Sequence, residues 1–384
     1  MKIVYVTPSL YWAGGLERVI TLKANYLSEQ YNYDVYIILT DGKNKKPYFS
    51  LSSNLNIINL DINFDDLYGK PLWRRVILYF LKQYIFKRRL TTCLKKINPD
   101  ITVSTLRREI NFINSIRDGS IKIGEIHVNR INYREFSQEK IPIFLKKLFG
   151  KLWMKQLISK IRKLDKFVVL TNEDKHTWNE IDSNKILTIH NPTSFSSLQS
   201  SSCEEKRVIA VGRYTYQKGF DLLVEAWKLV VDKHPDWSLH VYGEGDRTEL
   251  EQRIKELDLT KSFMVNGRTD SIIEKYLESS IFVLSSRYEG FGMVLTEAMS
   301  CGVPPVSFAC PSGPRDIITH GVDGLLVENG NIDHLAQNIC TLIENEDLRK
   351  VMGGNARESV KRFRKEVIMA EWKQLFEELM SSRS

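Results

Sequence analysis

The fold is decided by the first forty residues, "MKIVYVTPSLYWAGGLERVITLKANYLSEQYNYDVYIILT" (1–40). The apolar run "KIVYV" is closed by Pro8, and a loop with paired glycines, "WAGG", follows. A segment with apolar residues at helical spacing comes next, "LERVITLKANYLSEQ", and then a second apolar run, "DVYIILT". Strand, tight glycine loop, helix and strand in that order make the βαβ unit of a parallel sheet. Further strands are predicted at "NIINL", "ITVST", "IKIGEIH" and "KFVVLT", with helical segments between most of them.

A Ser-rich stretch, "NPTSFSSLQSSSCEEK" (191–206), interrupts the pattern and reads as a linker. Beyond it the alternation restarts with "RVIAVGR", "FDLLVEAWKLVVDKH", "WSLHVYGEG", "TELEQRIKELDL", "FMVNG", "SIIEKYLESS", "IFVLSS" and "VPPVSF". The expected architecture is α/β: two doubly wound, Rossmann-like domains facing across a cleft. Expected boundaries are 1–192 for the first domain, 193–206 for the linker, 207–362 for the second domain and 363–384 for a helical tail. That tail, "EVIMAEWKQLFEELM", is expected to pack back on the first domain.

Composition agrees with this reading. At 384 residues the chain is long for one core, and 42% hydrophobic with 27% charged residues is a globular balance. The N-terminal stretch has no signal-peptide pattern, and no segment reaches the roughly 20 apolar residues of a membrane span. Five scattered cysteines without a CxxC pair suit reduced cytosolic thiols better than a disulfide framework or a zinc site. The net charge of +8 is concentrated in the first half. Residues 70–97 hold nine Lys/Arg and residues 140–163 hold eight, with no acid in either. Leu72, Trp73, Ile77, Phe80, Ile85 and Phe86 lie in the first segment; Phe144, Leu145, Leu148, Phe149, Leu152, Trp153 and Ile161 lie in the second. Basic, aromatic-bearing helices suit an anionic membrane surface, with an ordinary amphipathic helix or an anionic polymer as the alternatives. Nucleic acid is disfavoured because no recognition motif accompanies the charge.

Four loops fall where parallel sheets bind ligands, beyond the carboxyl ends of strands. In "WAGG", Gly14 and Gly15 precede a helix whose N–H groups and dipole favour an anion. In "VGRYTYQKG", Arg213 stands at a strand end and Lys218 at a helix start, two cations on an exposed loop that together suit a diphosphate. In "SSRYEGFGMVLTEAMSCGVPPVS" (285–307), a helix is expected to begin near Phe291 or Gly292, just before Met293. Glu289 would lie before that helix and Glu297 about two turns inside it, where a carboxylate suits the two hydroxyls of a ribose. The fourth loop is "CPSGPRDII", whose Gly313 and Pro314 set a turn before another helix. Each loop taken singly is also a plausible structural turn.

Together these loops resemble glycosyltransferase family 4, retaining enzymes of the GT-B fold, of the bacterial cell-surface polysaccharide type. "VGRYTYQKG" is similar to the family's Gly-Arg…Lys-Gly element, "EGFGMVLTE" to its paired-glutamate motif, and "CPSGPRDIITHGVDGLLV" to the loop and strand that follow. "AGGLERV", "VLTNEDK" and "IHNP" resemble first-domain elements, and the likeness is strongest over 206–345. The resemblance implies that the first domain takes the acceptor, that Glu289 faces the donor sugar and that Glu297 holds the nucleotide ribose. It also implies that His127, in "GEIHVNR", stands near the donor sugar, with Asn129 and Arg130 beside it. Gly14, Gly15, Arg213, Lys218, Phe291, Gly292 and Met293 would surround the rest of the nucleotide sugar.

The implied reaction moves a hexose or N-acetylhexosamine from a nucleoside diphosphate sugar to a glycan hydroxyl, lipid-linked, at the inner face of the cell membrane. Uridine is favoured as the base by likeness to other "CPSGPR" members. No cofactor is expected, and no metal: a DxD motif is absent, "EGD" (244–246) being a poor substitute. Two rivals stand beside this reading, a GT-B nucleotide-sugar epimerase and a non-catalytic membrane-surface adaptor. Donor consumption with and without an acceptor separates the three.

Overall fold

The computed structural model describes residues 1–133 and 143–383 and divides the chain into two compact units. The first contains Met1–Leu170, Lys175–Pro192 and Lys365–Ser384; the second contains Thr171–Asp174 and Thr193–Arg364.

The first unit is built on strands β1 (Lys2–Thr7), β2 (Asp34–Leu39), β3 (Asn56–Asn59), β4 (Ile101–Ser104), β5 (Ile121–Glu125), β6 (Lys166–Val169) and β7 (Ile186–Thr188). All pair in parallel, in the order β3-β2-β1-β4-β5-β6-β7. Its helices include α1 (Gly15–Tyr31), α2 (Leu72–Ile97) and α3 (Ile143–Ile161). Both α1 and α2 stop at an asparagine in the left-handed region, Asn32 and Asn98, which tolerates that conformation better than most residues. A short helix, α4 (Asn172–Thr177), lies where the chain passes briefly into the second unit.

The second unit is built on β8 (Arg207–Val211), β9 (Ser238–Tyr242), β10 (Phe263–Asn266), β11 (Ile281–Leu284), β12 (Pro305–Phe308) and β13 (Leu325–Val327). They too are parallel, in the order β10-β9-β8-β11-β12-β13. Its helices are α5 (Phe220–Val231), α6 (Thr248–Glu256), α7 (Ile272–Leu277), α8 (Met293–Ser300), α9 (Pro314–Ile317), α10 (Ile332–Glu344) and α11 (Glu346–Ser359). The last helix, α12 (Lys365–Ser381), belongs to the first unit.

In each sheet the strand order reverses once, between β1 and β4 and between β8 and β11. At such a switch point the loops leaving the two central strands diverge to opposite sides and leave a crevice. The loops singled out in the sequence at Gly14–Gly15, Arg213–Lys218 and Glu289 leave three of these four strands.

Three expectations are corrected. The stretch 193–206 is not a free linker but is laid onto the second unit. Ser201 donates through its backbone N–H to the Cys301 carbonyl and through its hydroxyl to that of Ser279, and Cys203 is buried. Serine hydroxyls that pair with backbone carbonyls fasten a chain that looks flexible by composition. The tail rejoins the first unit at Lys365 rather than 363. On α3, Trp153 does not lie on an open basic face: it stacks on Tyr133 with ring centroids 5.2 Å apart, against the core of the first unit. The side chains at Phe144, Leu145, Lys147, Leu148 and Phe149 lie outside the described residues, as does all of Lys140.

A buried charge pair ties the first unit together. Lys23 of α1 donates to Glu125 Oε2 at the end of β5 at 2.6 Å, both side chains being sealed from solvent. Trp372 of α12 covers the ammonium at 3.5 Å from its ring centroid, and Tyr5 of β1 lies on another side. Burial works against both charges. It lowers Lys23 to about 8 against the pull of Glu125. For Glu125 the burial is outweighed by Lys23 and His127, which hold the carboxyl at about 2.

Two outcomes follow from this pair. Lys23→Met leaves a buried carboxylate without its lysine and costs about 3–5 kcal/mol of stability, read by chemical denaturation, while Lys23→Met with Glu125→Leu recovers most of that loss. Because the folded pKa of Glu125 is depressed, its stabilisation is complete above the ordinary value of 4.5 and disappears as pH falls from there towards about 2. An acid titration of wild type against the double variant reads that difference.

Candidate functional site

In the second unit, the loops leaving β8, β11 and β12 are fastened to one another through their backbones. Gln217 accepts from the Arg287 N–H at 2.8 Å, and its side chain donates to the Tyr288 carbonyl at 3.0 Å. Ser285 donates to the Lys218 carbonyl at 2.9 Å, and the Glu289 N–H donates to the Pro311 carbonyl at 3.0 Å. Two glycines make this approach possible. A Cβ on Gly219, whose φ is +63°, would stand 2.1 Å from the Ser285 carbonyl oxygen. One on Gly313, with φ +122°, would stand 1.9 Å from that of Phe291.

This framework brings Lys218 and Glu289 together. Lys218 ends a short 3-10 turn, Tyr216–Lys218, and its Nζ donates to Glu289 Oε1 at 2.7 Å. Ser286 donates to the same oxygen at 2.6 Å. The lysine side chain is 14% exposed and the glutamate 7%, so neither lies on an open loop as the sequence suggested for Lys218. Arg213, two residues past β8, is exposed and makes no ion pair among the described residues. A paired lysine that keeps some access and an unpaired arginine on the same strand-end loop present positive charge to an incoming anion.

Gly292, at φ +94°, is the N-cap of α8, so the helix begins at Met293 where the sequence placed its start. Its N-terminal peptide groups add partial positive charge beside the carboxylate of Glu289. Phe291 is buried and meets Phe363 edge-on, with centroids 5.4 Å apart. Glu297, on α8, is buried: Ser194 donates to its Oε1 at 2.6 Å and Tyr276 to its Oε2 at 3.2 Å. Neither Ser286, Ser194 nor Tyr276 was anticipated. Ser286 lies three residues before Glu289, within reach of a strand-end reading; the other two come from segments remote in sequence.

In the first unit, Gly14 is the N-cap of α1 in extended conformation, φ −88°, and does not need glycine's left-handed freedom. The Glu17 carboxylate folds over it, so close that a Cβ at Gly14 would meet Glu17 Oε2 at 2.2 Å. Past the switch-point strand β4 come Arg107 and Arg108, which the sequence analysis missed although they follow "ITVST" directly. They line a cavity of about 310 Å³ with Ser9, Trp12, Glu17 and Asp41. Arg108 pairs with Asp41 at 3.4 Å, and the Trp12 ring is exposed.

His127 follows β5, its Nε2 3.3 Å from Glu125 Oε1 without a well-aligned hydrogen bond. The buried Lys23–Glu125 pair therefore stands directly behind the imidazole. Its neighbours are structural, contrary to expectation. Arg130 grips Glu180 through two bonds of 2.7 Å and lies over Trp178, while the buried Asn129 accepts from Asn132 at 2.9 Å.

Among the described residues one group of metal-ligating side chains comes together: His234, Cys340 and Glu344, with ligand atoms within 4.8 Å of one another. Cys340 and Glu344 are on the last turns of α10, and His234 follows the end of α5. Helices that follow parallel strands return to the opposite edge of the sheet, so this group lies away from the strand-end loops.

Residues 198–359, which carry the interlocked loops, match the family model for glycosyl transferases group 1. The protein is a glycosyltransferase. Along nearly its full length the enzyme is 29% identical over 381 residues to an uncharacterized glycosyltransferase of Haemophilus influenzae, covering 97% of this chain and 99% of the relative. It is 25% identical over 391 residues to a Campylobacter jejuni enzyme, with 100% of both chains covered. That relative is named GalNAc-alpha-(1->4)-GalNAc-alpha-(1->3)-diNAcBac-PP-undecaprenol alpha-1,4-N-acetyl-D-galactosaminyltransferase. Among solved structures, the fold matches a Staphylococcus aureus TarM variant in complex with fondaparinux, alpha-GlcNAc-glycerol and UDP. The TM-score is 0.76 at 18% identity, covering 98% of this chain and 99% of that one. The architecture, two parallel-sheet Rossmann-like domains, is that of the GT-B glycosyltransferases.

The glycine contacts set a test of the enzyme's loop framework. Gly313→Ala puts a methyl into the Phe291 carbonyl at a backbone angle that alanine resists, and is expected to cost about 2–4 kcal/mol. Thermal denaturation reads the loss. A variant as stable as wild type would mean that the loops are not held by this contact.

Proposed function

We propose that the enzyme transfers a hexose or N-acetylhexosamine from a UDP-sugar to a hydroxyl of a lipid-linked glycan, with retention at the anomeric carbon, in cell-envelope polysaccharide synthesis. The observation that carries the donor site is the Lys218–Glu289 pair, held at the switch point of the second sheet beside the N-terminus of α8. The resemblance to family 4 supports retention. The relatives support the substrates: the TarM complex contains UDP, and the Campylobacter enzyme is named for an undecaprenol-linked glycan.

In this reading the bond between the anomeric carbon and the diphosphate oxygen breaks with its electron pair leaving on the diphosphate. Lys218, Arg213 and the first peptide groups of α8 stabilise that charge. Glu289, fixed by Lys218 and Ser286, orients the donor sugar hydroxyls and favours positive charge on the ring. The acceptor oxygen bonds to the same face of the carbon, and its proton passes to the departing diphosphate. Glu297 meets the ribose by exchanging its bonds to Ser194 and Tyr276. The Gly14–Gly15 amides and His127 serve the first-domain side, and the cavity lined by Arg107, Arg108 and Trp12 receives the acceptor. Its aromatic ring and paired charges suit a sugar carrying polar groups. The Lys218–Glu289 geometry favours an enzyme over an adaptor, because a binding surface gains nothing from a buried charge pair at the donor position.

Arg213→Ala and Lys218→Ala are each expected to lower turnover about 10²–10³-fold in a UDP-sugar consumption assay with a lipid-extract acceptor. Arg213→Ala, at an exposed side chain, leaves the melting temperature unchanged, whereas Lys218→Ala lowers it because Glu289 loses its buried lysine. Near-normal rates in both variants would remove the diphosphate assignment. Transfer is also expected to survive EDTA, since side-chain cations and a helix terminus supply the charge at the leaving group. Activity lost on chelation and restored by magnesium or manganese would overturn that part. UDP should raise the melting temperature of wild type by mass action, and no rise with any nucleotide would count against the donor site.

A further inference from the structure

Helix α2 is buried along one half only. Phe86, Leu90, Leu94 and Ile97 enter the core of the first unit, and Leu78 and Tyr79 pack against it from the side. The first half turns the other way. Trp73, Val76, Ile77, Phe80, Leu81 and Tyr84 are between 48% and 68% exposed. At about 100° per residue these six fall within roughly 140° of the helix circumference, and at about 1.5 Å per residue they run for some 16 Å. A contiguous apolar stripe of that size on an otherwise ordinary surface marks a covered face.

The charges around the stripe identify its cover. Arg74 borders it near one end, its guanidinium 5.1 Å from the Trp73 ring centroid. Lys87 and Arg88 continue its line one turn past Tyr84, and Arg88 lies 5.8 Å from the Tyr84 ring centroid. Neither these three nor Lys70 makes an ion pair among the described residues, and no acid occurs from 70 to 97. A second copy is a poor occupant. Two-fold pairing of the stripe with itself, antiparallel, sets Lys87 of one copy against Lys70 of the other, with Arg74 close by and no carboxylate on either helix to offset them. An anionic bilayer accepts the apolar side chains below its headgroups and pairs the cations with lipid phosphates, and Trp73 and Tyr84 suit the boundary between the two zones.

We infer that the N-terminal half of α2, Leu72 to Tyr84, is a membrane-docking surface that lies in the headgroup region of an anionic bilayer. This rests on the lipid-linked acceptor proposed above for the choice of a membrane, and narrows the contact from the two basic segments, 70–97 and 140–163, to α2, since Trp153 of α3 is committed to the core.

The test is co-sedimentation with vesicles of equal parts phosphatidylglycerol and phosphatidylcholine, against vesicles of phosphatidylcholine alone. Wild type is expected to bind the anionic vesicles, less so as salt rises. Ile77→Glu with Phe80→Glu is expected to weaken that binding about tenfold or more, since two exposed apolar groups become anions facing an anionic surface. UDP-induced thermal stabilisation should be the same in this variant, showing that the fold and the second unit are intact. Failure of wild type to bind at low salt, or equal binding by the variant, overturns the inference. So does sedimentation velocity that finds a wild-type dimer and a monomeric variant, which would assign the stripe to a second copy. Vesicle binding without sugar transfer to any lipid extract would leave the docking surface standing and remove the proposed acceptor. Transfer to a soluble glycan by a protein that ignores vesicles would do the reverse.

Discussion

The strand-end loops of the second unit depend on backbone touching backbone. Where Gly219 meets the Ser285 carbonyl and Gly313 meets that of Phe291, no side chain intervenes between one strand-end loop and the next. Direct contact of this kind has little slack, because a carbonyl cannot rotate aside as a flexible side chain can. The turn after β8 is therefore fixed against the loop after β11, and that loop against the one after β12. Lys218 and Glu289 are carried into hydrogen-bonding distance as a consequence. The side chains supply the charge; the glycines set where it stands.

Two ion pairs, Lys23–Glu125 in the first unit and Lys218–Glu289 in the second, differ in the access they allow. Lys23 and Glu125 are sealed under Trp372, so their charges serve the first unit's own structure, joining α1, β5 and α12. Lys218 and Glu289 retain partial access at the carboxyl edge of their sheet, where a ligand can share or replace the contact. The first pair is closed to any ligand, whereas the second keeps a solvent-facing edge. The first pair also touches His127, whose Nε2 lies 3.3 Å from Glu125 Oε1.

The two halves of α2 show the same chain serving two environments. Its second half obeys the usual rule, with apolar residues in the core and cations in water. Its first half breaks that rule over several turns, with no acid in the helix itself. The exposed stripe of the first half is thus the place where this helix departs from the pattern of a globular surface.

Much of this was legible without coordinates. The βαβ repeats follow from apolar runs alternating with helical spacing, and the eleven strands read in that way all occur, because parallel strands buried on both faces must be continuously apolar. Strand β7, three residues long, was too short to carry that signal. The start of α8 was legible too, since Gly292 can adopt a left-handed cap that other residues resist. Sequence order alone also placed Arg213, Lys218 and Glu289 at strand ends. Pairing and burial were a different matter. Ser194 and Tyr276 reach Glu297 from 103 and 21 residues away, and Arg130 finds Glu180 across 50. Trp153 turned inward while Trp73 stayed outside, although both sit in basic, aromatic helices. Local chemistry determines which element a residue joins; which face of that element is covered, and by what, depends on chain segments brought together only when the sheets close their cores.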